Sequence, residues 1–333
     1  MTKGAMVPPT LAELPAPPAD RSGWPWTEES PRLPACAPDG KPWPAISIVT
    51  PSYNQGAYLE ETIRSVLLQG YPNLEYHILD GGSTDESVEI IRKYETWLDG
   101  WVSEKDNGQS DAINRGFAKC SGEIFNWLCS DDFLTKGALA AVARGFLDQD
   151  DCDVLAGACF CQYDEEPGKS RVKSARIDGW ERTPYRAAIW QPSCFIRRSL
   201  VDRGELVLPD LHFCMDRELW CYLFRRNARW KWTEEVLSHY RYTGANKSVT
   251  GKRRIIDEIG RIYMAHVEEW IPLPPLLRKC WLPLVLSSME RAPGAGRLLL
   301  RGLSKGVAFV LLCVYPREHV RALQSEFYEY SVW

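Results

Sequence analysis

Residues 126 to 133 read N-W-L-C-S-D-D-F, and the two adjacent acids in this stretch decide how we interpret the chain. The apolar residues from Ile124 to Leu128 predict a buried strand that ends shortly before Asp131 and Asp132. Ligands of α/β sheets collect at the carboxyl edge, where such a strand ends. Two carboxylates repel each other there unless a cation or a donor-rich ligand lies between them. We interpret the pair as the site of a divalent metal that holds a diphosphate. The alternative is a β-turn with two solvated acids.

The composition is that of an ordinary globular protein. Of the 333 residues, 45% are apolar and 25% are charged, which is enough for one large core and a second element. The net charge of −4 gives no electrostatic footprint for DNA or RNA, so we expect no nucleic-acid partner. The eleven cysteines show neither C-x-x-C nor zinc-ligand spacing, and neither a signal peptide nor a run of about 18 apolar residues is found. These features predict a cytoplasmic protein with reduced thiols.

Three regions of the chain differ in their residue pattern. Residues 1–44 hold 11 of the 23 prolines, which predicts an extended and partly disordered extension. The tryptophans that we expect to attach it to the body are Trp24, Trp26 and Trp43. Residues 45–250 alternate strand-like and helix-like patterns, which indicates an α/β domain, and residues 251–333 form a C-terminal helical region.

The first half of the α/β domain reads as strand, loop and helix in alternation. A β-branched strand (45–50) leads into the loop P-S-Y-N-Q-G, and a helix pattern (58–68) follows. A second strand (75–79) ends at Asp80, which opens the turn D-G-G-S-T-D. An acid at that point can accept hydrogen bonds from a ribose or base, and its alternative role is to cap the turn. Neither loop is G-x-G-x-x-G or G-x-x-x-x-G-K-[ST], which argues against a dehydrogenase or a P-loop NTPase.

A cluster of polar residues opens the next helix. A third strand pattern (101–103) precedes E-K-D-N-G-Q-S-D, and a helix pattern (112–119) comes after it. Gln109, Asp111 and Asn114 lie where this helix begins. Helix N-termini favour anions, because their amides are unpaired and their end of the dipole is positive. We therefore expect the cluster near an anionic ligand, with helix capping as the alternative role of Asp111.

The second half of the domain continues in strands. The pattern predicts strands at 153–161, 171–177, 230–232 and 236–240, and then a loop that begins at Arg241. Arg241 and Lys247 are suitable partners for a phosphate, since their side chains donate charge-assisted hydrogen bonds.

Four motifs, in this order, resemble the inverting glycosyltransferases of family 2. They are S-I-V-T-P-S-Y-N-Q (47–55), I-L-D-G-G-S-T-D (78–85), E-K-D-N-G-Q-S-D-A-I-N-R-G-F (104–117) and S-G-E-I-F-N-W-L-C-S-D-D (121–132). The resemblance extends over residues 45–250 and is closest to a bacterial branch. It implies the GT-A fold, which is an α/β, Rossmann-like architecture with a mixed, mostly parallel central sheet flanked by helices. It also implies a nucleotide-diphospho-sugar donor, usually a UDP-sugar, and an Mn²⁺ or Mg²⁺ ion.

The resemblance assigns residues to the donor pocket. It implies that Pro51 and Tyr53 line the nucleotide pocket and that Asp80 contacts the base or ribose. The segment W-Q-P-S-C-F (190–195) resembles the family's Q-P-S/T-x-F segment, which lies beside the donor sugar. Gln191 is therefore a candidate sugar contact, and the alternative is a hydrogen-bonded core glutamine.

The same resemblance assigns the metal ligand. The stretch Ser130-Asp131-Asp132 occupies the family's D-x-D position, which makes Asp132 the metal ligand and puts Asp131 near the ribose or donor sugar. Ser130 replaces the first Asp, which weakens the case for two ligands. Relatives often have Y-R-x-H-G later in the chain, with its His near the metal or diphosphate. This chain has Thr243 at the position of that His, and its nearest histidine, His239, lies four residues earlier. His239 is therefore a further candidate ligand, and its alternative role is structural.

A second chemical stretch, L-P-D-L-H-F-C-M-D-R-E-L-W (208–220), contains the candidate base. The family has its base in an acidic pair that opens a helix, and the matching residue here is Asp216, with Met215 in place of the usual Glu. Inverting displacement needs a carboxylate on the face opposite the leaving diphosphate, to take the proton of the acceptor hydroxyl. Glu218 and Asp210 rank second and third, and the alternative role of Asp216 is to cap the helix.

The C-terminal region has an amphipathic helix pattern at 253–270 and apolar runs with basic residues at 276–289 and 298–315. Residues 276–315 suit peripheral contact with the inner face of the plasma membrane. The alternative is a helical hairpin that packs on the catalytic domain or on the second subunit of a homodimer. The membrane hypothesis follows from the lipid-linked acceptors that are typical of the family.

Three functions are consistent with this sequence. The first is an inverting glycosyltransferase that acts on a saccharide or lipid-linked saccharide in surface polysaccharide or glycolipid assembly. The second is a sugar-phosphate nucleotidyltransferase, which would need a Gly-rich basic loop that P-S-Y-N-Q-G lacks. The third is a catalytically silent nucleotide-sugar-binding module, and the acids Asp80, Asp132 and Asp216 argue against it.

Overall fold

The computed structural model describes residues 7–148, 151–174, 189–244, 246–247 and 251–266. The chain divides into two compact units. The first consists of Met1–Arg176, Ala188–His212 and Asn227–Gly244. The second consists of Ile177–Ala187, Phe213–Arg226 and Ala245–Trp333. The division into regions that end at residues 44 and 250 stays a prediction.

The first unit opens with strands and helices in strict alternation. In chain order they are β1 (Ile46–Ser52), α1 (Gly56–Leu67), β2 (Leu74–Asp80), α2 (Ser87–Tyr94), β3 (Gly100–Ser103), α3 (Gln109–Lys119) and β4 (Ile124–Trp127). The neighbouring strands β3, β2, β1 and β4 pair in parallel. The strand–loop–helix pattern predicted for this half is therefore confirmed.

The first unit continues with elements that make the sheet mixed. They are β5 (Phe133–Leu134), α4 (Ala138–Leu147), β6 (Val154–Tyr163), β7 (Arg171–Lys173), β8 (Cys194–Arg197) and β9 (Trp230–Tyr242). The strand order is β3-β2-β1-β4-β8-β6-β9-β5, with β7 paired to β6. The pairs β4/β8, β6/β8 and β5/β9 are antiparallel, whereas β6/β9 is parallel. This is the mixed, mostly parallel α/β sheet that the sequence predicts.

One boundary prediction was wrong. The late strand does not stop at Tyr240 before a loop; β9 continues through Arg241 to Tyr242, because its pairing with β6 extends to Tyr163. The register shifts between Gly157 and Ala158 and again between Ala158 and Cys159, which accommodates a polar stretch of β9 within one strand. Arg241 is therefore held by a strand and not by a loop.

The register of the parallel strands brings the candidate loops to one edge of the sheet. Ser52 pairs with Asp80, and Val49 pairs with Trp127, so that β1, β2 and β4 end at neighbouring positions. Helix α3 packs closely under this edge, because a Cβ on Gly116 would lie only 2.4 Å from Cγ1 of Val49. The sheet therefore gathers the turns after β1, β2 and β4, as ligand sites in α/β folds require.

Residues 7–44 contain no helix or strand, yet they pack on the sheet domain. The three tryptophans attach this segment as expected. Trp26 and Trp43 are buried, and the indole Nε1 of Trp24 donates a hydrogen bond of 2.8 Å to the carbonyl of Leu134.

A buried arginine of α1 forms hydrogen bonds to the same segment. Arg64 on α1 is fully buried, and its guanidinium donates to the carbonyl oxygens of Pro15 (2.8 Å), Pro25 (3.1 Å) and Trp26 (2.9 Å). It also donates to the hydroxyl of Tyr94, at 3.1 Å. Proline-rich backbone lacks amide donors, so these carbonyls depend on a side chain for their partners.

The second unit, in the part that the structure describes, contains α5 (Met215–Arg225) and α6 (Lys252–His266). The helix pattern predicted at 253–270 coincides with α6 up to His266, and the rest of that pattern lies outside the described residues. Residues 276–315, with the predicted membrane or subunit contact, also lie outside them. No helix in the described ranges is long and apolar enough to cross a membrane.

We expect Arg64→Met to detach the N-terminal segment. The substitution keeps an apolar stem but removes the donors of two buried carbonyls and one part-buried carbonyl, so the free energy of unfolding should fall by about 3 to 5 kcal/mol. Urea denaturation measures this loss, and limited proteolysis should cut within residues 7–44 sooner than in the unsubstituted protein. Arg92→Met on the exposed face of α2 is the matched control and should change neither result. Equal proteolysis of both variants would show that Arg64 does not anchor the segment.

Candidate active site

The turn after β4 presents Asp131 and Asp132 at the carboxyl edge of the sheet. The amide of Leu128 still bonds to the carbonyl of Val49 on β1, at 2.8 Å, and the chain then turns. The hydroxyl of Thr62 on α1 bonds to the carbonyl oxygens of Ser130 (2.9 Å) and Asp132 (2.6 Å). Helix α1 thus fixes the backbone on both sides of Asp131.

The side chain of Asp132 is buried and only partly satisfied by the chain. Its Oδ1 accepts a hydrogen bond of 3.0 Å from the backbone amide of Arg241, and no described residue donates to its Oδ2. Burial raises the pKa of Asp132 well above its usual range, and the neighbouring charge of Asp131 adds to this effect. Burial also raises the pKa of Asp131. Both carboxyl groups therefore favour a cation that would restore their ionised form.

Arg241 and Glu61 form a buried ion pair beside these acids. The guanidinium Nη2 lies 2.7 Å from a carboxylate oxygen of Glu61, and Nη1 donates to the carbonyl of Asp131 at 3.1 Å. Its charged group also lies over the rings of Tyr58 (5.2 Å) and Phe133 (4.8 Å). The contact of Arg241 with a phosphate stays a prediction. The geometry shows that this residue already organises the turn.

The donor atoms around the pair fit a divalent cation. The side-chain ligand atoms of Cys129, Asp131 and Asp132 lie within 4.8 Å of one another. Carboxylate oxygens are the ligands that Mg²⁺ and Mn²⁺ prefer, and this turn presents two carboxylates side by side. Asp131 and Asp132 would hold the metal, and the thiol of Cys129 would lie near it.

His239 lies near this turn but outside that group of ligand atoms. Its ring stacks on Phe133 at 4.2 Å between centroids and contacts Phe160 at 5.0 Å. Burial, and next to it the charge of Arg241, lowers the pKa of His239 to about 4, so the imidazole is neutral at neutral pH. Its Nδ1 is buried, and among the described residues it has no hydrogen-bond partner. Its role as a metal ligand stays a prediction.

A second cluster of metal-ligand types has a structural explanation. The ligand atoms of Glu75, His77 and Cys120 also lie within 4.8 Å of one another. The Oε2 of Glu75 already accepts hydrogen bonds from the hydroxyl of Ser47 and the amide of Gly122, and its Oε1 pairs with His77. These residues lie at the amino end of β1 and β2, away from the edge where the candidate turns meet.

The turn after β2 is organised by Asp80. Its carboxylate is buried and accepts hydrogen bonds from the amides of Gly82 (3.1 Å) and Ser83 (2.9 Å). It also accepts from the hydroxyls of Ser83 and Ser103. Turn capping, the alternative role, is therefore present. The contact of Asp80 with a base or ribose stays a prediction.

The loops after β1 and β2 are tied to each other. The amide of Asn54 donates to the hydroxyl of Ser83, and the amide of Thr84 donates to the side-chain oxygen of Asn54, each at 2.8 Å. Within this paired loop, Pro51 is buried in β1, whereas Tyr53 is 61% exposed. An exposed aromatic ring is accessible to a ligand, and the roles of Pro51 and Tyr53 in a nucleotide pocket stay predictions.

The polar cluster at the start of α3 separates into different environments. The amide nitrogen of Gln109 lies 3.2 Å from the sulfur of Cys129, so Gln109 adjoins the acidic turn. Asp111 accepts a hydrogen bond from the amide of Asn107, which is a capping role. The Asn114 side chain bonds to the backbone of residues 206 and 207. Only Gln109 of the three has a side-chain hydrogen bond to the acidic turn.

Gln191 is half-buried and forms a hydrogen bond within the chain. Its side-chain nitrogen donates to the carbonyl of Trp127 at 2.6 Å, where β4 ends. The same position puts the residue next to the strand that leads to the acidic pair. A contact with the donor sugar stays a prediction.

Asp216 belongs to the second unit and lies in the first turn of α5. Burial is the main cause that raises its pKa, against the hydrogen bond and the charge of Arg217 that lower it. A carboxylate with an increased proton affinity is a better general base than an exposed one. The local environment therefore suits the expected role, which stays a prediction.

Sequence reasoning missed three residues that the structure brings to these turns. Glu61 pairs with Arg241 across 180 residues, and no local pattern marks such a pair. Cys129 directly precedes the acidic motif but received no role. Asp106 lies within the quoted E-K-D-N-G-Q motif, and a Cβ on Gly81 would lie 2.9 Å from its Oδ2. The sequence could have indicated Cys129 and Asp106, because both lie inside the quoted motifs.

Comparison with known proteins agrees with this geometry. The family model "Glycosyl transferase family 2" matches residues 47–218. A putative teichuronic acid biosynthesis glycosyltransferase, TuaG of Bacillus subtilis, is 25% identical over 63% of this chain and 83% of its own length. An uncharacterized glycosyltransferase of Haemophilus influenzae is 32% identical to this chain. The matched region covers 40% of this chain and 55% of that protein.

Solved structures share the fold. The mannosyltransferase PcManGT of Pyrobaculum calidifontis, in complex with GDP-Man and Mn²⁺, has a TM-score of 0.53 at 16% identity. The comparison covers 87% of this chain and 86% of that one. S. aureus TarS 1-349 in complex with UDP-GlcNAc has a TM-score of 0.51 at 16% identity, over 73% and 70% of the two chains. With a GT-A sheet, the acidic turn at its edge and the matching family model, this chain belongs to glycosyltransferase family 2.

Proposed function

We propose that this glycosyltransferase uses a metal ion to transfer a sugar, with inversion, from a nucleotide-diphosphate sugar to a hydroxyl of a saccharide or lipid-linked saccharide. The observation that carries the proposal is the adjacent pair of the half-buried Asp131 and the buried Asp132, whose carboxyl groups both have a raised pKa. Such a pair is costly to bury unless a cation and its ligand compensate it. A diphosphate bound through a divalent ion provides that compensation.

The proposed chemistry needs two carboxylates with different tasks. Asp216 takes the proton from the acceptor hydroxyl while that oxygen attacks the anomeric carbon. The bond from this carbon to the diphosphate oxygen breaks on the opposite face, so the product has inverted configuration. When bound by Asp132 and Asp131, Mn²⁺ or Mg²⁺ supplies positive charge that neutralises the diphosphate. His239 is a further candidate ligand because its imidazole is neutral and has an unpaired nitrogen.

We propose a UDP-sugar as the donor. TarS binds UDP-GlcNAc and PcManGT binds GDP-Man, so both nucleotides belong in the test. Here the tied loops after β1 and β2 would accommodate the nucleotide, with the exposed Tyr53 ring available for stacking on the base. The residues proposed to contact the donor are Pro51, Tyr53, Asp80, Gln109, Asp111, Asn114, Asp131, Gln191 and Arg241.

The proposed pathway is surface polysaccharide or glycolipid assembly in the cytoplasm, at the inner face of the plasma membrane. TuaG, one of the similar proteins, is named for teichuronic acid biosynthesis, which supports a cell-envelope product. Peripheral membrane contact or homodimer formation would involve residues 276–315.

A thermal-shift screen of UDP-, GDP-, CMP- and dTDP-sugars, with and without Mn²⁺, tests the donor proposal. A ligand that binds only the folded state raises the unfolding midpoint by mass action. We expect a shift with a UDP-sugar that requires Mn²⁺. If none of these donors shifts the midpoint with the metal present, the proposed donor class is wrong. Release of free UDP together with a glycosylated product then separates transfer from slow donor hydrolysis.

We expect the affinity for Mn²⁺ to rise with pH above the range in which ordinary carboxylates ionise. Burial raises the pKa of both Asp131 and Asp132, so protons compete with the metal at a higher pH than usual. Below that pKa, the dissociation constant should increase about tenfold per pH unit for each displaced proton. Calorimetric titration measures it. Asp132→Asn should abolish binding, whereas Asp148→Asn at an exposed position should bind normally. Normal binding by Asp132→Asn would refute this assignment.

Asp216→Asn should keep donor binding and lose transfer. The amide occupies the same volume but cannot accept the proton, so kcat should fall by about 10² to 10⁴. The thermal shift with donor and Mn²⁺ should stay as in the unsubstituted protein, because Asp216 has no proposed contact with the nucleotide. Glu218→Gln and Asp210→Asn test the other acids. Full turnover of Asp216→Asn would transfer the base role to one of them.

A further inference from the structure

The start of helix α5 is held by one carboxylate from helix α6. The Oε2 of Glu258 accepts hydrogen bonds from the backbone amides of Phe213 (2.8 Å) and Cys214 (2.9 Å). Glu258 is only 5% exposed, and both amides lie directly before the first helical residue, Met215. The amides at a helix start lack partners within the helix, so an anion that accepts two of them stabilises it.

Other contacts in the same unit hold α5 against α6. The thiol of Cys214 lies 3.9 Å from the carbonyl of Ile255, and a Cβ on Gly251 would lie 2.5 Å from the ring of Phe213. The imidazole of His266 lies 3.0 Å from the carboxylate of Glu218, which is 1% exposed. The two helices are thus in contact at both ends of α6, and Glu258 provides the hydrogen bonds to the backbone at the start of α5.

Glu258 also acts on the electrostatics of Asp216. Burial is the main cause that raises the pKa of Asp216, and the negative charge of Glu258 adds to it. The neighbouring Arg217 opposes both. The titratable groups around this turn in the described part of the unit include Cys214, Arg217 and Glu218 at the start of α5, and Glu258 and His266 on α6. Of these, Glu258 combines a charge effect on Asp216 with bonds to the backbone that carries it.

We propose that Glu258 is a positioning residue for the transfer reaction, which fixes the helix start that bears Asp216 and favours its role as the proton acceptor. The inference rests on the proposed role of Asp216 as the base. Glu258 does not touch the reacting atoms; it acts through the first turn of α5. A displacement of about 1 Å at a reacting group can reduce a rate by about 10²-fold, so a fixed helix start matters for the reaction.

Two substitutions separate the charge of Glu258 from its position. Glu258→Gln keeps an oxygen that can accept both amides but removes the charge. The pKa of Asp216 should then fall, and the acid limb of the kcat/KM profile should move to lower pH. Glu258→Asp keeps the charge but is one methylene too short, so we expect kcat to fall about tenfold. Asp257→Asn, on the exposed face of the same helix, removes an equal charge and should change neither property.

The experiment uses the full chain, with the donor and Mn²⁺ that give the largest thermal shift. The pH profile is measured for release of the nucleoside diphosphate. The pKa of Asp216 is read independently by NMR of ¹³C-labelled aspartate, with the resonance assigned by its absence in Asp216→Asn. Thermal denaturation reports whether each variant is folded. If Glu258→Gln does not fold, Glu258→Asp carries the test through its effect on kcat and not on donor binding.

The outcomes distinguish this inference from the proposed function. A lower pKa of Asp216 in Glu258→Gln, together with the reduced kcat of Glu258→Asp, supports the positioning role. If Asp216→Asn is inactive but both Glu258 variants keep the original profile, kcat and ¹³C titration, the inference alone is overturned. If Asp216→Asn keeps full turnover, the proposed base is wrong and the positioning role fails with it. A structural role alone would lower the unfolding midpoint and leave the acid limb unmoved.

Discussion

The burial of Asp132 beside the half-buried Asp131 is the constraint around which the carboxyl edge of the sheet is organised. Two adjacent carboxyl groups in a poorly solvated turn resist ionisation, and nearby groups of the chain offset part of this cost. It provides the backbone amide of Arg241 to Asp132 and a guanidinium that Glu61 in turn neutralises. The fold therefore gathers the two acids and these partners at the edge of the sheet where the parallel strands end.

Much of the fold could be predicted, because its information is local. Alternating apolar patterns specify β1 to β4 and the helices between them, and the turns carry their own polar signals. The continuation of β9 through Arg241 could not be read in this way. The polar residues Glu234 and Glu235 look like a break in the pattern, and only pairing with a distant strand, β6, lets the chain continue through a register shift. Tertiary pairing overrides the local pattern there.

In the candidate site too, features encoded by local sequence could be predicted, whereas contacts with remote residues could not. Asp80 and Asp132 lie in short motifs, so their places at strand ends were predictable. Their partners come from remote parts of the chain: the amide that bonds to Asp132 is 109 residues away. The same holds for Asn114, whose side chain bonds to backbone 92 and 93 residues later, while its contact with a ligand stays a prediction. Local spacing indicates which polar residues matter, but it does not tell whether their partner is a ligand or the chain itself.

The proline-rich segment has a consequence for how the chain is made. Ribosomes synthesise it before its partners: Arg64 follows Pro15 by 49 residues, and the carbonyl that Trp24 contacts follows by 110. A nascent segment 7–44 therefore has no surface to pack on until α1 and β5 have been synthesised. During that interval its carbonyl groups form hydrogen bonds to water. The segment packs on the domain after the elements that follow it in the sequence. Residues 7–44 thus reach their final contacts only after elements that follow them in the sequence.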